Sequence, residues 1–228
     1  MHGFLVLRTR EGKKIADGEM TQVVNEDRVT DRLIFRFTDG SIYEDTAVFS
    51  QKQRFRFLSD HLVERGPSFK EPTETLIDAS AGEVTVHYQG SDGKKKVLNQ
   101  KFNVPPDLAN GLMFTLVKDI EPSARLTTVP MLVTTPKPRL VKLEIFTEGQ
   151  KTIASGSIKH KTVIYDVKVK IGGMAGLVTR VMGKQPPDTQ VWVLTGEAPA
   201  FVKSEGPLYQ DGPVWRMELT NPTTGLPQ

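Results

Sequence analysis

The pattern that most constrains this fold is a two-residue alternation of apolar and polar side chains. It is clearest in 161–171, where Val163, Tyr165 and Val167 share one face while Asp166 and Lys168 lie on the other. The same alternation recurs elsewhere in the chain: 33–37, 84–88, 141–145 and 215–219. Successive side chains of a β-strand point to opposite faces of a sheet, so the pattern predicts strands with one buried face.

Turn-forming residues separate these runs, at 39–40, 90–93, 148–149 and 211–213. Gly and Asp tolerate the positive φ that tight hairpin turns require. About fourteen short strands joined in this way predict an antiparallel meander. We therefore expect a single domain over 1–220, followed by a flexible tail at 221–228.

A segment in the middle of the chain follows a helical period instead. Apolar residues of 107–120 recur every three or four positions, as on one face of a helix: Leu108, Leu112, Met113, Leu116, Val117 and Ile120. Phe114 widens this stripe, and a helix that is apolar on most sides is buried on most sides. The predicted fold class is therefore mainly β, a strongly curved antiparallel sheet (a half-barrel or open barrel) wrapped around one central helix.

A second break in the strand pattern lies at 172–183. Its apolar residues also follow helical spacing, but four glycines weaken the helix, since each costs about 1 kcal/mol relative to Ala. The segment predicts a short second helix, loosely held and suited to cover a groove as a movable flap.

Composition excludes several classes of function. The net charge of +3 comes from scattered residues, which disfavours a nucleic-acid partner. No stretch reaches the roughly 18–20 apolar residues of a transmembrane helix. The chain has no cysteine, and its four histidines form no H-E-x-x-H or His-x-His pair, so we expect no metal site and no cofactor.

The run Ser59-Asp60-His61 raises the question of a hydrolase. Adjacent strand residues point to opposite faces, so Asp60 cannot orient His61 as a catalytic base. A hydrolase would instead require His61 or His87 to meet a carboxylate and a nucleophile in one cleft. We therefore expect no catalytic residues.

The candidates for ligand binding are mostly apolar. A curved sheet that closes on one helix leaves a groove at its open edge, and methionine is an adaptable lining for such a groove. The candidate ligand-binding residues are Met113, Leu116, Phe35, Phe57, Tyr165, Met174, Trp192 and Trp215. Core packing is the alternative role for the same side chains.

Segments spread over nearly the whole chain resemble a family of uncharacterised, exported bacterial β-rich proteins: 32–41, 46–51, 58–62, 66–69, 76–79, 105–112, 183–188 and 197–201. That family supplies no established activity or catalytic residues. The overall plan is more loosely similar to the lipoprotein-localisation carriers LolA and LolB, whose curved half-barrel wraps a helix and holds acyl chains. These resemblances imply a periplasmic or secreted mature chain whose signal peptide has been removed. The strand-like start at 2–7 fits a cytoplasmic protein as well.

Three hypotheses follow for the function. The first is a non-catalytic envelope protein that binds a lipid, acyl chain or other amphipathic ligand between sheet and helix. The second is a structural or protein-interaction module with a solid core, and the third is an uncharacterised hydrolase. A gap beside Met113 and Leu116 would favour the first hypothesis over the second.

Overall fold

The computed structural model describes residues 2–52, 55–90, 92–111, 113–134, 137–155, 158–171, 186–196 and 199–220. It confirms a mainly β architecture, in which the described strands form one antiparallel sheet. The strands are His2–Arg8 (β1), Lys14–Asn25 (β2), Arg28–Phe37 (β3), Ile42–Ser50 (β4), Arg56–Arg65 (β5), Thr73–Asp78 (β6), Glu83–Gln89 (β7), Lys95–Lys101 (β8), Leu126–Val133 (β9), Arg139–Ser155 (β10), Ile158–Lys170 (β11), Thr189–Leu194 (β12), Ala200–Pro207 (β13) and Val214–Thr220 (β14).

The order of the strands places the two ends of the chain in the middle of the sheet. β1 pairs with β14, β2 to β8 extend to one side, and β13 back to β9 extend to the other. β8 and β9 are the two edges, so the sheet is not closed. The residues between them, 102–125, are called the crossing segment below, because they carry the chain from one edge to the other.

The sheet is strongly curved. Fourteen strands leave thirteen spacings between β8 and β9, which is roughly 60 Å in a flat sheet at about 4.8 Å per spacing. Yet the backbone N–H of Ala109 donates to the carbonyl of Pro130 in β9 at 2.9 Å. Ala109 follows Lys101, the last residue of β8, by 109 − 101 = 8 positions, and eight residues span at most about 29 Å. The sheet must therefore curl until its edges lie within that distance.

The central helix is much shorter than the sequence predicts. A helix over Met113–Leu116 (α1) continues only as the 3-10 turn Val117–Asp119. Gly111 has a φ of 65°, and the side chain of Asn110 bonds both backbone groups of Leu132 in β9, at 2.9 and 2.8 Å. The prediction of a helix beginning at 107 is wrong because the first residues bond to the edge strand instead of to one another.

Two apolar clusters occupy one face of the sheet, called the inner face because the crossing segment packs against it. The first cluster joins β1–β4 with β9–β14 and includes Val117 and Ile120 of the crossing segment. The second joins β3–β7 with Leu108 and with Leu132 of β9. Because Leu132 comes from the far edge of the sheet, the second cluster is a direct consequence of the curvature.

The turn predictions have mixed outcomes. Gly40 has a φ of 84° in the turn between β3 and β4, as predicted for Asp39-Gly40. Gly149 does not end a strand: it lies inside β10, where the register with β11 shifts between Thr147 and Gly149. The predicted break there is wrong because the glycine forms a β-bulge. The predicted second helix at 172–183 and the tail at 221–228 lie outside the described residues.

Candidate functional site

A band of polar side chains crosses the inner face between the two apolar clusters. The cross-strand register places Asp31, Ala47 and Asp60 in one row. Asp45, Leu62 and Thr75 form the next row, and Tyr43, Glu64 and Thr73 the third. The polar band is defined here as Asp31, Asp45, Asp60, Glu64, Thr73 and Thr75. It spans four adjacent strands, β3 to β6.

A cavity of about 310 Å³ lies against this band. All six residues of the polar band line it, and the crossing segment, β9 and the loop after β13 form other walls. Much of the remaining lining is apolar, and it includes the methionines Met20, Met113, Met131 and Met217. The cavity is therefore amphipathic, with a polar wall opposite adaptable apolar ones.

Asp45 and Asp60 form a carboxyl pair on the polar wall, in which Asp60 is buried and Asp45 is half-buried. Burial raises the pKa of Asp60 well above its usual value, and the neighbouring Asp45 raises it further. Burial also raises the pKa of Asp45, while a hydrogen bond with Asp60 opposes that rise. A neutral Asp60 that donates to an ionised Asp45 accounts for both directions.

Gly111 of the crossing segment lies directly over this pair. A Cβ at Gly111 would lie 2.9 Å from Oδ1 of Asp60, 3.2 Å from Oδ1 of Asp45 and 2.5 Å from Cβ of Ala47. The positive φ of Gly111 and the absence of a side chain thus let the backbone approach the carboxyl pair closely.

The other two carboxyls of the band are also held toward the neutral form. Burial raises the pKa of Asp31, although the hydroxyl of Thr115 in α1 donates a hydrogen bond to its Oδ2. Burial raises the pKa of Glu64 to about 7, with Thr73 donating to Oε2 at 3.0 Å. Four carboxyls in one wall repel one another when ionised, so protonation of some of them, or a cation beside them, lowers the free energy of the wall.

Two further features of the lining are suited to a polar ligand. Thr75 is only 3% exposed, and its Oγ1 has no hydrogen-bond partner among the described residues. Tyr209 and Trp215 line the same cavity with ring centroids 5.8 Å apart. The pKa of Tyr209 is raised by burial and then by the charge of Glu64, so this aromatic pair lies near the polar band.

The structure brings only some of the predicted ligand residues together. Met113 and Trp215 line the cavity. Phe35, Phe57 and Tyr165 are fully buried in the apolar clusters, and Leu116 packs against the first cluster without lining the cavity. The hydroxyl of Tyr165 donates to the carbonyl of Ile120 at 2.9 Å, which fastens the crossing segment to β11.

Trp192 and Met174 were also predicted to bind the ligand. Val191 and Val193 belong to the first cluster on the inner face, so Trp192 between them faces outward. Nζ of Lys203 lies 4.0 Å above its ring in a cation–π contact, and Trp192 does not line the cavity. Met174 lies outside the described residues.

The histidines of the hydrolase hypothesis lie away from the cavity. Nε2 of His61 is 2.9 Å from Glu74, and Nδ1 of His87 is 4.0 Å from the same carboxylate. Their side chains are about half exposed, and none of the three residues lines the cavity. Within the described ranges, no group of three or more His, Cys, Asp or Glu side chains could hold a metal ion.

Sequence reasoning missed the polar band, although a signal for it exists. Asp31 occupies the apolar phase of β3, between Val29 and Leu33, and Asp45 occupies that of β4, between Tyr43 and Ala47. A carboxyl at a position where the alternation calls for a buried apolar side chain is unfavourable for folding, and natural proteins keep such residues mainly at functional sites.

Comparison with known proteins adds no identity: no protein-family model, curated protein or solved structure matches the chain. The resemblances to exported bacterial proteins and to the lipoprotein carriers therefore stay predictions, as does the exported location. Among the helices of the described residues, none has the length and apolar character needed to cross a membrane.

Proposed function

We propose that this protein is a non-catalytic binding protein whose cavity holds one small amphipathic molecule with an apolar chain. The observation that carries the proposal is the cavity of about 310 Å³ beside Met113, between the inner face and the crossing segment. Sites for small molecules commonly have volumes of roughly 300–1,000 Å³, with mostly apolar walls and a few polar groups. The size is at the lower end, which favours a single short chain over a lipid with several chains.

The lining supports a flexible apolar ligand in particular. Met20, Met113, Met131 and Met217 come from β2, α1, β9 and β14, so unbranched, polarizable side chains surround the cavity from separate directions. Methionine adapts to ligands of varying shape at low cost in strain. The alternative hypothesis, a scaffold protein with a solid core, does not account for such a cavity, because protein interiors without a ligand site are densely packed.

A series of straight-chain alcohols tests the proposal. Each buried methylene contributes about 0.8 kcal/mol, so affinity should rise about fourfold per added carbon from hexanol upward. The rise should stop when the cavity is full. Isothermal titration calorimetry measures both the slope and the plateau; absence of binding, or binding without a plateau, contradicts the proposal.

A matched pair of variants locates the binding site. Met131→Phe adds volume inside the cavity, and Leu126→Phe makes a similar change on the same strand at an exposed position. We expect Met131→Phe to shorten the longest alcohol that binds well, while Leu126→Phe leaves the series unchanged. Equal behaviour of the two variants would place the binding elsewhere and overturn the proposal.

A further inference from the structure

We propose that the polar wall of the cavity recognises a protonated primary amine, so that the ligand is an alkylammonium with its cationic head on the polar band and its chain among the methionines. The inference rests on the proposed function and adds the chemical class of the ligand's polar end. It is carried by the carboxyls of the band together with an unpartnered buried hydroxyl.

The ionisable side chains that line the cavity are mostly acidic. Five carboxyls line it against two guanidinium groups: Asp31, Asp45, Asp60, Glu64, Asp211, Arg32 and Arg139. Arg32 is bound to Glu44 at 2.7 Å, and its side chain is about half exposed. The wall built by β3 to β6 is therefore acidic, and a cation is the ligand group that it favours electrostatically.

The polar wall presents hydrogen-bond acceptors to the cavity, and an ammonium group carries three N–H donors. Oγ1 of Thr75 has no hydrogen-bond partner in the described part of the chain, whereas the carboxyl of Asp60 is already bonded to Asp45. Both residues are more than nine-tenths buried and both line the cavity. Buried polar atoms normally have hydrogen-bond partners, so the unpartnered hydroxyl of Thr75 indicates a ligand that supplies a donor.

The aromatic residues fit the same ligand. The rings of Tyr209 and Trp215 line the cavity, and the charge of Glu64 acts on Tyr209. The faces of tyrosine and tryptophan rings attract cations, and proteins use such rings to recognise ammonium ligands. A carboxylate ligand would meet repulsion from the same wall.

Binding of an ammonium group is coupled to proton release. The raised pKa values of Asp31, Asp45, Asp60 and Glu64 show that the empty wall favours protonated carboxyls. The cation favours their ionised forms, so a proton leaves for solvent as the ammonium enters. Among the other groups that face these carboxyls, His61 and Lys118 oppose the rise in the pKa of Asp45 and Asp31 respectively, but more weakly than burial raises it.

Three ligands with the same chain separate this inference from the proposed function. Octylamine, octanol and octanoate are titrated at pH 8, where an alkylamine is still protonated and Glu64 is ionised. We expect octylamine to bind about tenfold or more tighter than octanol, the advantage of a charge-assisted hydrogen bond, and octanoate to bind most weakly. The advantage of octylamine over octanol should shrink at pH 5.5.

Each outcome has a separate meaning. If octanol binds as tightly as octylamine, or octanoate binds most tightly through Arg139, the amine inference is overturned while the cavity remains a binding site. If none of the three binds, the proposed function is overturned and the amine inference with it. Proton release, measured in buffers of different ionisation enthalpy, should accompany octylamine binding and not octanol binding.

Variants test which carboxyls act. Asp60→Asn and Glu64→Gln keep the shape of the wall, and each removes one carboxyl that could ionise beside an ammonium group, so each should bring octylamine within about threefold of octanol. Asp166→Asn is the matched control, because Asp166 is equally buried but pairs with Lys168 at 2.9 Å outside the cavity. Circular dichroism and octanol binding verify that each variant is folded; a folded Asp60→Asn and Glu64→Gln pair that both retain the full preference overturns the inference.

Discussion

The unusual environment of Glu64 makes a specific prediction about stability. Burial raises its pKa from 4.5 to about 7, so the folded protein holds a proton that the unfolded chain has released. Between these two values the native state binds more protons, and stability therefore falls as pH rises. The stabilisation is complete below about pH 4.5 and is lost as pH rises through about 7, the reverse of an ordinary ion-paired carboxylate.

The magnitude follows from the two pKa values. A pKa difference of one corresponds to about 1.4 kcal/mol, so this side chain costs the folded state about 3 kcal/mol above pH 8. Glu64→Gln is always neutral, and its amide oxygen can still accept the hydrogen bond from Thr73. We expect the variant to match the natural protein at pH 4.5 and to exceed it by about 3 kcal/mol at pH 8, or roughly 6–12 °C in Tm.

Urea unfolding of both proteins at pH 4.5, 6, 7 and 8 measures this difference directly. Asp31, Asp45 and Asp60 contribute in the same direction, so the variant keeps part of the pH dependence and only the difference reports on Glu64. Glu83→Gln is the control, because Glu83 forms an exposed ion pair with Lys101 and should change stability little at any of these pH values. A Glu64→Gln difference that is the same at pH 4.5 and pH 8 would refute the reasoning.

Two further changes test how the crossing segment is held. Gly111→Ala should cost about 2–4 kcal/mol, from a positive φ and overpacking against Ala47, whereas Gly12→Ala, with a φ of 91° and open space around it, should cost only about 1–2 kcal/mol. Equal costs in thermal unfolding would show that the space above the carboxyl pair is not tight. Asn110→Ala should cost about 2–4 kcal/mol, because both backbone groups of Leu132 lose their partner. Asn99→Ala, on an exposed strand, should cost well under 1 kcal/mol, and a similar loss for both asparagines would contradict this account.

Much of the sheet was predictable because strand alternation is a local property. The side chains of Val163, Tyr165 and Val167 are buried on one face of β11, as the alternation predicts. The prediction of a solvent-exposed opposite face is wrong for this strand, because Thr162, Ile164 and Asp166 are buried as well. The same rule predicts that Trp192, which lies between two inward-facing valines, points away from the inner face. The alternation therefore argued against Trp192 as a ligand residue before the structure was known. For deciding which face of the sheet a side chain occupies, the hydrophobic period was thus a better guide than the type of residue.

The predicted helix shows where local reasoning ends. The residues of 107–120 have a helical period, but two of them make contacts with strands that are distant in sequence. Asn110 hydrogen-bonds to β9, and Gly111 packs closely against β4. Those contacts offset the lost helical hydrogen bonds, and among the described residues of this segment the α-helix is limited to Met113–Leu116. Helix propensity is a weak preference that tertiary contacts override.

The sequence by itself determined which strands form and which side chains share a face, because the pleat of a strand imposes a period of two whatever the rest of the chain does. It also placed Asp31 and Asp45 on the same face as their apolar neighbours, although a polar wall of a cavity could not be inferred from these two residues alone. Only the tertiary structure decided that the sheet curls until its edges meet the crossing segment and that a cavity remains beside Met113. The reason is that the acidic wall comes from 31–75, whereas the walls opposite it come from 109–115, 131–133 and 207–217, and long-range strand pairing alone brings those segments together.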